Sequence, residues 1–345
     1  MADKAEVSQF EEVPVKLSKR TRCRKHLRKW WWAYLIGLIC IIVLVVPLLI
    51  LVAIPNIAQS KINSAKFNID GIIITKTREQ TMTIALNASM RVGSTAGLKA
   101  SIAQFPIELY LADLEPHTTF LSLDLPTMKA ASHVNVNITQ DVTLSDMETF
   151  TTFCAWLLGM ETLSIGMRGK TSIRVKGISR NYGVSFKKAL TLKGLNQFKG
   201  LNVTETSISL QPDENGDNLH GQVDIPNPSI LTVEVGILSF NPFLNGTKLG
   251  TASVDNLTLY PGINNVSMRA NISQAPVLAV VSTEPTCETG LLPLQLQVQG
   301  AENGGENLPY FTNALAGANL SVAIDVRETF ERDLNMTLSC ASSDD

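Results

Sequence analysis

Nine asparagines in this 345-residue chain are followed two positions on by serine or threonine with no proline between: Asn87, Asn137, Asn202, Asn245, Asn256, Asn265, Asn271, Asn319 and Asn335. The chemistry that such a triplet offers is attachment of an oligosaccharide to the amide nitrogen. With 23 asparagines in the chain, chance spacing would give about four acceptors, so the excess points to a glycosylated luminal or extracellular domain. The second chemistry is that of thiols. Cys23 and Cys40 lie at the amino-terminal end, leaving Cys154, Cys287 and Cys340. One disulfide at most is expected, between Cys287, beside Pro285 in a loop-like stretch, and Cys340, near the carboxyl end. Cys154 sits between Phe153 and Trp156 on an apolar segment, where a buried thiol is the commoner fate.

No residue pattern supports catalysis. Beyond residue 54 there are three histidines, His117, His133 and His220, at spacings unlike any zinc motif. Gly169-Lys170-Thr171 ends like a phosphate loop, but Ser164 stands where that motif needs glycine. The acidic stretch Pro212 to Asn218 lacks the alternating ligands and terminal glutamate of a calcium loop and reads as an exposed turn. No Gly-x-Ser-x-Gly elbow occurs. The chain is therefore expected to be non-enzymatic, with no catalytic residue, cofactor or metal, and no nucleic-acid partner.

The acceptors all lie beyond a 25-residue run without a charge, Trp30 to Ile54, which as a helix measures about 37 Å and spans a bilayer with some tilt. It is longer than the apolar core of a cleaved signal and has no small-x-small end, so it reads as a permanent anchor with a kink at Pro47. Eight basic residues and no acid lie between Lys16 and Lys29, which keeps that end in the cytosol. Up to Lys29 nine basic residues face four acidic ones, a net +5, and the remainder carries 20 against 27, a net −7. Trp30, Trp31, Trp32 and Tyr34 form an aromatic belt at headgroup depth. The basic cluster sets topology, and binding of anionic lipid headgroups by the same charges is the sharper alternative.

The part beyond the anchor is strand-rich. "LPLQLQVQG" sets Leu294, Leu296 and Val298 against Gln295, Gln297 and Gln299. "TSIRVKG" and "LTVEVGILSF" alternate likewise, as half-buried antiparallel strands do. Two segments read instead as short helices leading into strands. The first opens with Ser145 and Glu148 at capping-box spacing and sets Phe150, Phe153, Leu157 and Met160 on one face. In the second, Phe311, Leu315 and Gly317 follow Phe153, Leu157 and Gly159 by 158 residues in each case. This implies an internal duplication, each helix lying under its own sandwich. The expected organisation is a basic tail (1–29), an anchor (30–54), a first β-sandwich domain (60–181), a second (182–340) and an acidic tail (341–345).

"DIPNPSILTVEVGILSFNPFLNGTKLGTASVDNLTLYPGINNVSMRANIS" resembles the late-embryogenesis-abundant type 2 pattern. A strand ends in Asn227-Pro228, alternating strands follow, a glycine-bounded turn runs from Gly246 to Gly250, and another strand ends at Pro261-Gly262. The first copy, "ALNASMRVGSTAGLKASI", has no Asn-Pro. With its tail, anchor and paired β domains the chain is similar to fungal single-pass membrane proteins of unknown function, some of them vacuolar. That resemblance implies immunoglobulin-like sandwiches without catalysis, a type II orientation, a vacuolar or other endomembrane location, and an unsettled role in binding lipids or proteins.

Closed sandwich cores with an interaction surface on their loops, meeting an unknown protein partner, are the first functional reading. The runner-up is an incompletely filled core holding an acyl chain. A Golgi-type glycosyltransferase shares the anchor, but Asp113 and Glu115 are the nearest approach to its acidic pair. A plasma-membrane adhesin or receptor ectodomain stays open.

Overall fold

A computed structural model describes residues 19–91, 99–318 and 320–340, with side chains from Trp30 onward. The basic cluster up to Lys29 therefore has no described side chains, and Asn319 and the acidic tail lie outside the described residues. The chain divides into two compact units, Met1–Ile57 and Ala58–Asp345.

The first unit is helical. Lys19–Leu48 is an α-helix, and a π turn, Leu49–Ala53, leads into a further helix, Ile54–Ser64. The π turn lies between Pro47 and Pro55, neither of which can donate to the helical ladder. Trp30–Ser64 is the one described helix long and apolar enough to cross a membrane.

In the second unit the period-two pattern becomes strands. Lys66–Thr75, Thr81–Arg91 and His133–Thr143 form an antiparallel meander. Thr81–Arg91 buries Met82, Ile84, Leu86, Ala88 and Met90 in strict alternation, so it covers a core on one face. Facing it is a sheet in which Thr119–Leu125, Phe105–Leu111, Thr162–Val175 and Asn181–Lys193 pair in that order. The last pair is a hairpin that crosses the boundary expected at residue 181, and this first set of strands runs on to Lys193. The tight turn at Gly177 (φ 93°) permits it.

The remaining strands curl round a second interior. They run Asn202–Ile208, Leu219–Asn227, Gly262–Ile272, Gly250–Leu259, Leu231–Leu244, Leu291–Asn303 and Leu320–Asp325, and the last returns against the first.

Leu231–Leu244 joins the two sets. Its beginning pairs in parallel with the first set (Ile72↔Leu231, Ile74↔Val233), and its far half pairs antiparallel with Leu291–Asn303. The changeover sits at Gly236 (φ 84°), where the register shifts and a Cβ would come within 2.3 Å of the Glu302 carbonyl oxygen. A polar clamp seals the junction. Lys76 N–H donates to Glu234 Oε2 (2.8 Å), Thr77 Oγ1 to the Glu234 carbonyl (2.9 Å), and Asn303 Nδ2 to both Thr77 Oγ1 (2.8 Å) and Glu234 Oε1 (3.0 Å).

The two short helices, Met147–Gly159 and Pro309–Ala316, do not lie under separate sandwiches. They pack on each other, with the Phe150 and Tyr310 rings 5.0 Å apart, and the buried residues of both halves form one hydrophobic cluster. Each helix buries one stripe, Phe150, Phe153, Cys154, Leu157 and Leu158 on the first and Tyr310, Phe311, Ala314 and Leu315 on the second, and both lie in the gap between the halves.

The helix start is shifted by one residue from the expected capping box. Asp146, not Ser145, is the cap, and its Oδ1 accepts the Thr149 N–H at 2.7 Å, while Ser145 N–H donates to the Phe120 carbonyl. Met160, expected on the buried face, is the exposed residue that ends the helix. The bonds from Thr149 hold the Asp146 carboxyl below the usual carboxylate range. Asp146→Ala should therefore cost about 1 kcal/mol in thermal or denaturant melts at neutral pH. A group with a depressed folded pKa stabilises above its unfolded value, near 3.9, so the difference between variant and parent should fade as pH drops through the lower folded value.

Candidate functional site

The interior of the second set of strands is not completely filled. A cavity of about 70 Å³, bounded by Val203, Val223, Phe240, Met268, Leu294 and Val322 among others, receives side chains from all seven strands and exposes no polar atom. A second, of about 60 Å³ and equally apolar, extends toward the helix pair and is bounded by Cys154, Leu157, Phe311 and Leu315. The two share Leu201, Ile225, Leu238, Phe240 and Leu296, so they adjoin across those side chains. Together they approach the roughly 150 Å³ of an engineered apolar cavity that stays dry and takes up benzene. The arrangement can hold an apolar group by contact and by excluding water, and it has nothing with which to react. Burial pushes the Cys154 thiol far above its ordinary pKa, which makes it inert as a nucleophile.

Strand alternation identified the inward positions, such as Leu294 and Val298, but not the unfilled volume between them. Ala252 and Ala270 were the available signal, because small residues opposite each other on neighbouring strands leave space over that part of the sheet.

The eight described acceptor asparagines, Asn87, Asn137, Asn202, Asn245, Asn256, Asn265, Asn271 and Asn335, are all exposed. Asn87 and Asn137 stand directly opposite each other on paired strands. Cys287 and Cys340 are joined in a disulfide with Cα atoms 5.1 Å apart, while Cys154 is free and buried. The remaining candidates are occupied by structural work. Asp213 accepts the Asn215 and Asp217 N–H groups and lies 3.3 Å from His220 Nε2. Asp217 pairs with Arg269, which also engages Asp255. Gly169-Lys170-Thr171 lies inside the strand Thr162–Val175, with no helix to follow. No group of three metal-ligating side chains converges among the described residues.

Residues 118–242 match the family described as "Protein of unknown function (DUF3712)". The DUF3712 segment begins in the first set of strands and ends in the joining strand Leu231–Leu244. It contains the helix Met147–Gly159 and supplies Leu201, Ile225, Leu238 and Phe240, four of the five residues shared by the two cavities. No curated protein sequence matches the chain. Among solved structures, red sea bream transglutaminase is similar over 75% of this chain and 30% of its own, at 9% identity and a TM-score of 0.23. The CupB6 tip adhesin from Pseudomonas aeruginosa is similar over 75% of this chain and 97% of its own, at 8% identity and 0.21. An adhesin from Mobiluncus mulieris gives 73% and 83%, at 10% identity and 0.19. This chain thus spans less than a third of the transglutaminase.

Proposed function

We propose that this chain is a non-enzymatic, single-pass membrane glycoprotein whose luminal or extracellular part takes up a small apolar group, of which the end of a lipid acyl chain is the best fit. The observation that carries this reading is the pair of adjoining cavities without a polar lining atom. A single core across both halves favours it over two closed sandwiches that act through their loops. The disulfide and the exposed acceptors support the oxidising, glycosylating side of a membrane. A vacuolar or related endomembrane location rests on the resemblance to the fungal proteins.

Filling the cavity tests the ligand. Adding a long-chain fatty acid to the purified chain should raise its thermal midpoint, since a ligand at a hundredfold over its Kd contributes about 2.7 kcal/mol. Ala270, buried and lining the larger cavity, can be changed to leucine to occupy that space. Ala270→Leu should keep or raise the starting midpoint and abolish the rise. A rise of equal size in the variant contradicts the reading.

Orientation is tested separately. A tag at the amino terminus should be digested by protease in intact microsomes, while the remainder is protected and shifts in mass with endoglycosidase. A protected tag reverses the topology.

A further inference from the structure

On the inward face of Asn181–Lys193, Tyr182, Val184, Phe186 and Leu192 are buried, and Lys188 occupies a position that the alternation assigns to an apolar residue. Among the described residues this strand pairs only with Thr162–Val175, so its other edge has no partner strand. Lys66–Thr75 likewise has a free edge up to Gly71, because its second neighbour is reached only at Ile72–Ile74. Beside these edges opens a cleft of about 620 Å³, lined by Lys66, Phe67, Asp70, Arg91, Lys188 and Leu190 among others. The preceding helix is tied to the same strand, with Gln59 bonded through its amide to Ser185 N and O at 2.9 and 2.8 Å.

The cleft is charged and unbalanced. Neither Lys66, Arg91 nor Lys188 is ion-paired among the described residues, and Lys188 Nζ donates only to the Asn63 carbonyl, at 2.7 Å. Asp70 is the one carboxylate in the lining and accepts the Asn68 amide at 2.7 Å. Burial also pulls the Lys188 ammonium below its ordinary pKa, an electrostatic cost that an anion in the cleft would offset. Three cations against one carboxylate leave two positive charges, which matches a phosphate monoester at neutral pH. Phe67 and Leu190 add an apolar wall beside them.

We infer that this cleft is a binding site for a phosphate monoester, carried either by a lipid headgroup or by a soluble compound, with Lys188, Arg91 and Lys66 as its cationic contacts. It shares no lining residue with the two apolar cavities, so it stands or falls independently of them. An inward lysine at a free edge also guards against edge-to-edge pairing, but that role alone predicts no affinity for anions.

The test is isothermal titration of the full chain, purified in a neutral detergent, with short-chain phosphatidic acid, short-chain phosphatidylcholine and inorganic phosphate. Phosphatidic acid should bind at least tenfold more tightly than phosphatidylcholine, and that difference should shrink as salt rises. Lys188→Met and Arg91→Gln should each weaken phosphatidic acid binding about tenfold or more, and Lys188→Arg should retain it. Competition by inorganic phosphate would assign recognition to the phosphate alone, and binding of phosphatidic acid without it would assign the lipid. Equal binding of phosphatidylcholine, or wild-type affinity in Lys188→Met and Arg91→Gln, overturns the inference. Arg91 is exposed, so its variant tests the site even where Lys188→Met impairs folding.

Discussion

Replacing Phe150 by alanine should melt both halves of the β-rich unit together at a lower temperature. Phe150 is 3% exposed, and its ring lies 5.9 Å from Phe120, 5.8 Å from Phe153 and 5.0 Å from Tyr310. Tyr310 in turn contacts Phe311 at 4.8 Å and donates its hydroxyl to the Arg78 carbonyl at 3.0 Å. The ring cluster therefore runs from a strand of the first half to a helix of the second. Truncation of such a phenylalanine costs about 3 to 5 kcal/mol. Because the joining strand Leu231–Leu244 and the Glu234 clamp tie the same regions together, that cost should fall on one cooperative transition. Limited proteolysis through the melt should cut near the exposed turn at Lys176-Gly177 and near the Asp213 turn at the same midpoint. Two separate midpoints, with only the first half weakened, would show that the halves unfold independently.

Loss of the disulfide should be comparably severe. Cys287 and Cys340 are 53 residues apart in sequence, and closing a loop of that length restricts the unfolded chain by about 4 kcal/mol in the chain-entropy account. The bridge fastens the end of the chain to the buried short helix Thr286–Thr289. Cys287→Ser and Cys340→Ser should each lower the denaturant midpoint by a similar amount, and the double variant should be no worse than either. Cys154→Ser should leave the mobility difference between reduced and non-reduced chain unchanged. Single variants that add to each other would mean that the two cysteines act separately.

What could be read from the residues was local. The alternation in "TSIRVKG" foretold Ile173 and Val175 inside with Arg174 and Lys176 outside, and that in "LTVEV" foretold Leu231, Val233 and Val235 inside. Both helices, and the strands that follow them, were visible from period and caps, apart from the one-residue shift from Ser145 to Asp146. The pairing of Ile72–Ile74 with Leu231–Val233 was not legible, because a parallel contact across so long a separation leaves no turn or register signal beside either strand. The packing of the two helices was hidden for a related reason. Duplication shows that Phe153 and Phe311 are equivalent in sequence, but says nothing of whether equivalent faces meet. The cavities depend on volumes summed over seven strands, and no window of sequence contains that sum.

An interior between these strands and helices that takes up the end of an acyl chain can be reached by a label carried on that chain. The most direct measurement is photolabelling in intact membranes, using a long-chain fatty acid with a photoreactive group on its tail, followed by mass spectrometry of the labelled peptides. Label is expected on peptides containing Phe240 and Met268, which face the cavity, and that label should be lost in Ala270→Leu while the variant remains folded. Label confined to the Trp30–Ile54 helix, or unchanged at Phe240 and Met268 in the filled variant, would contradict it.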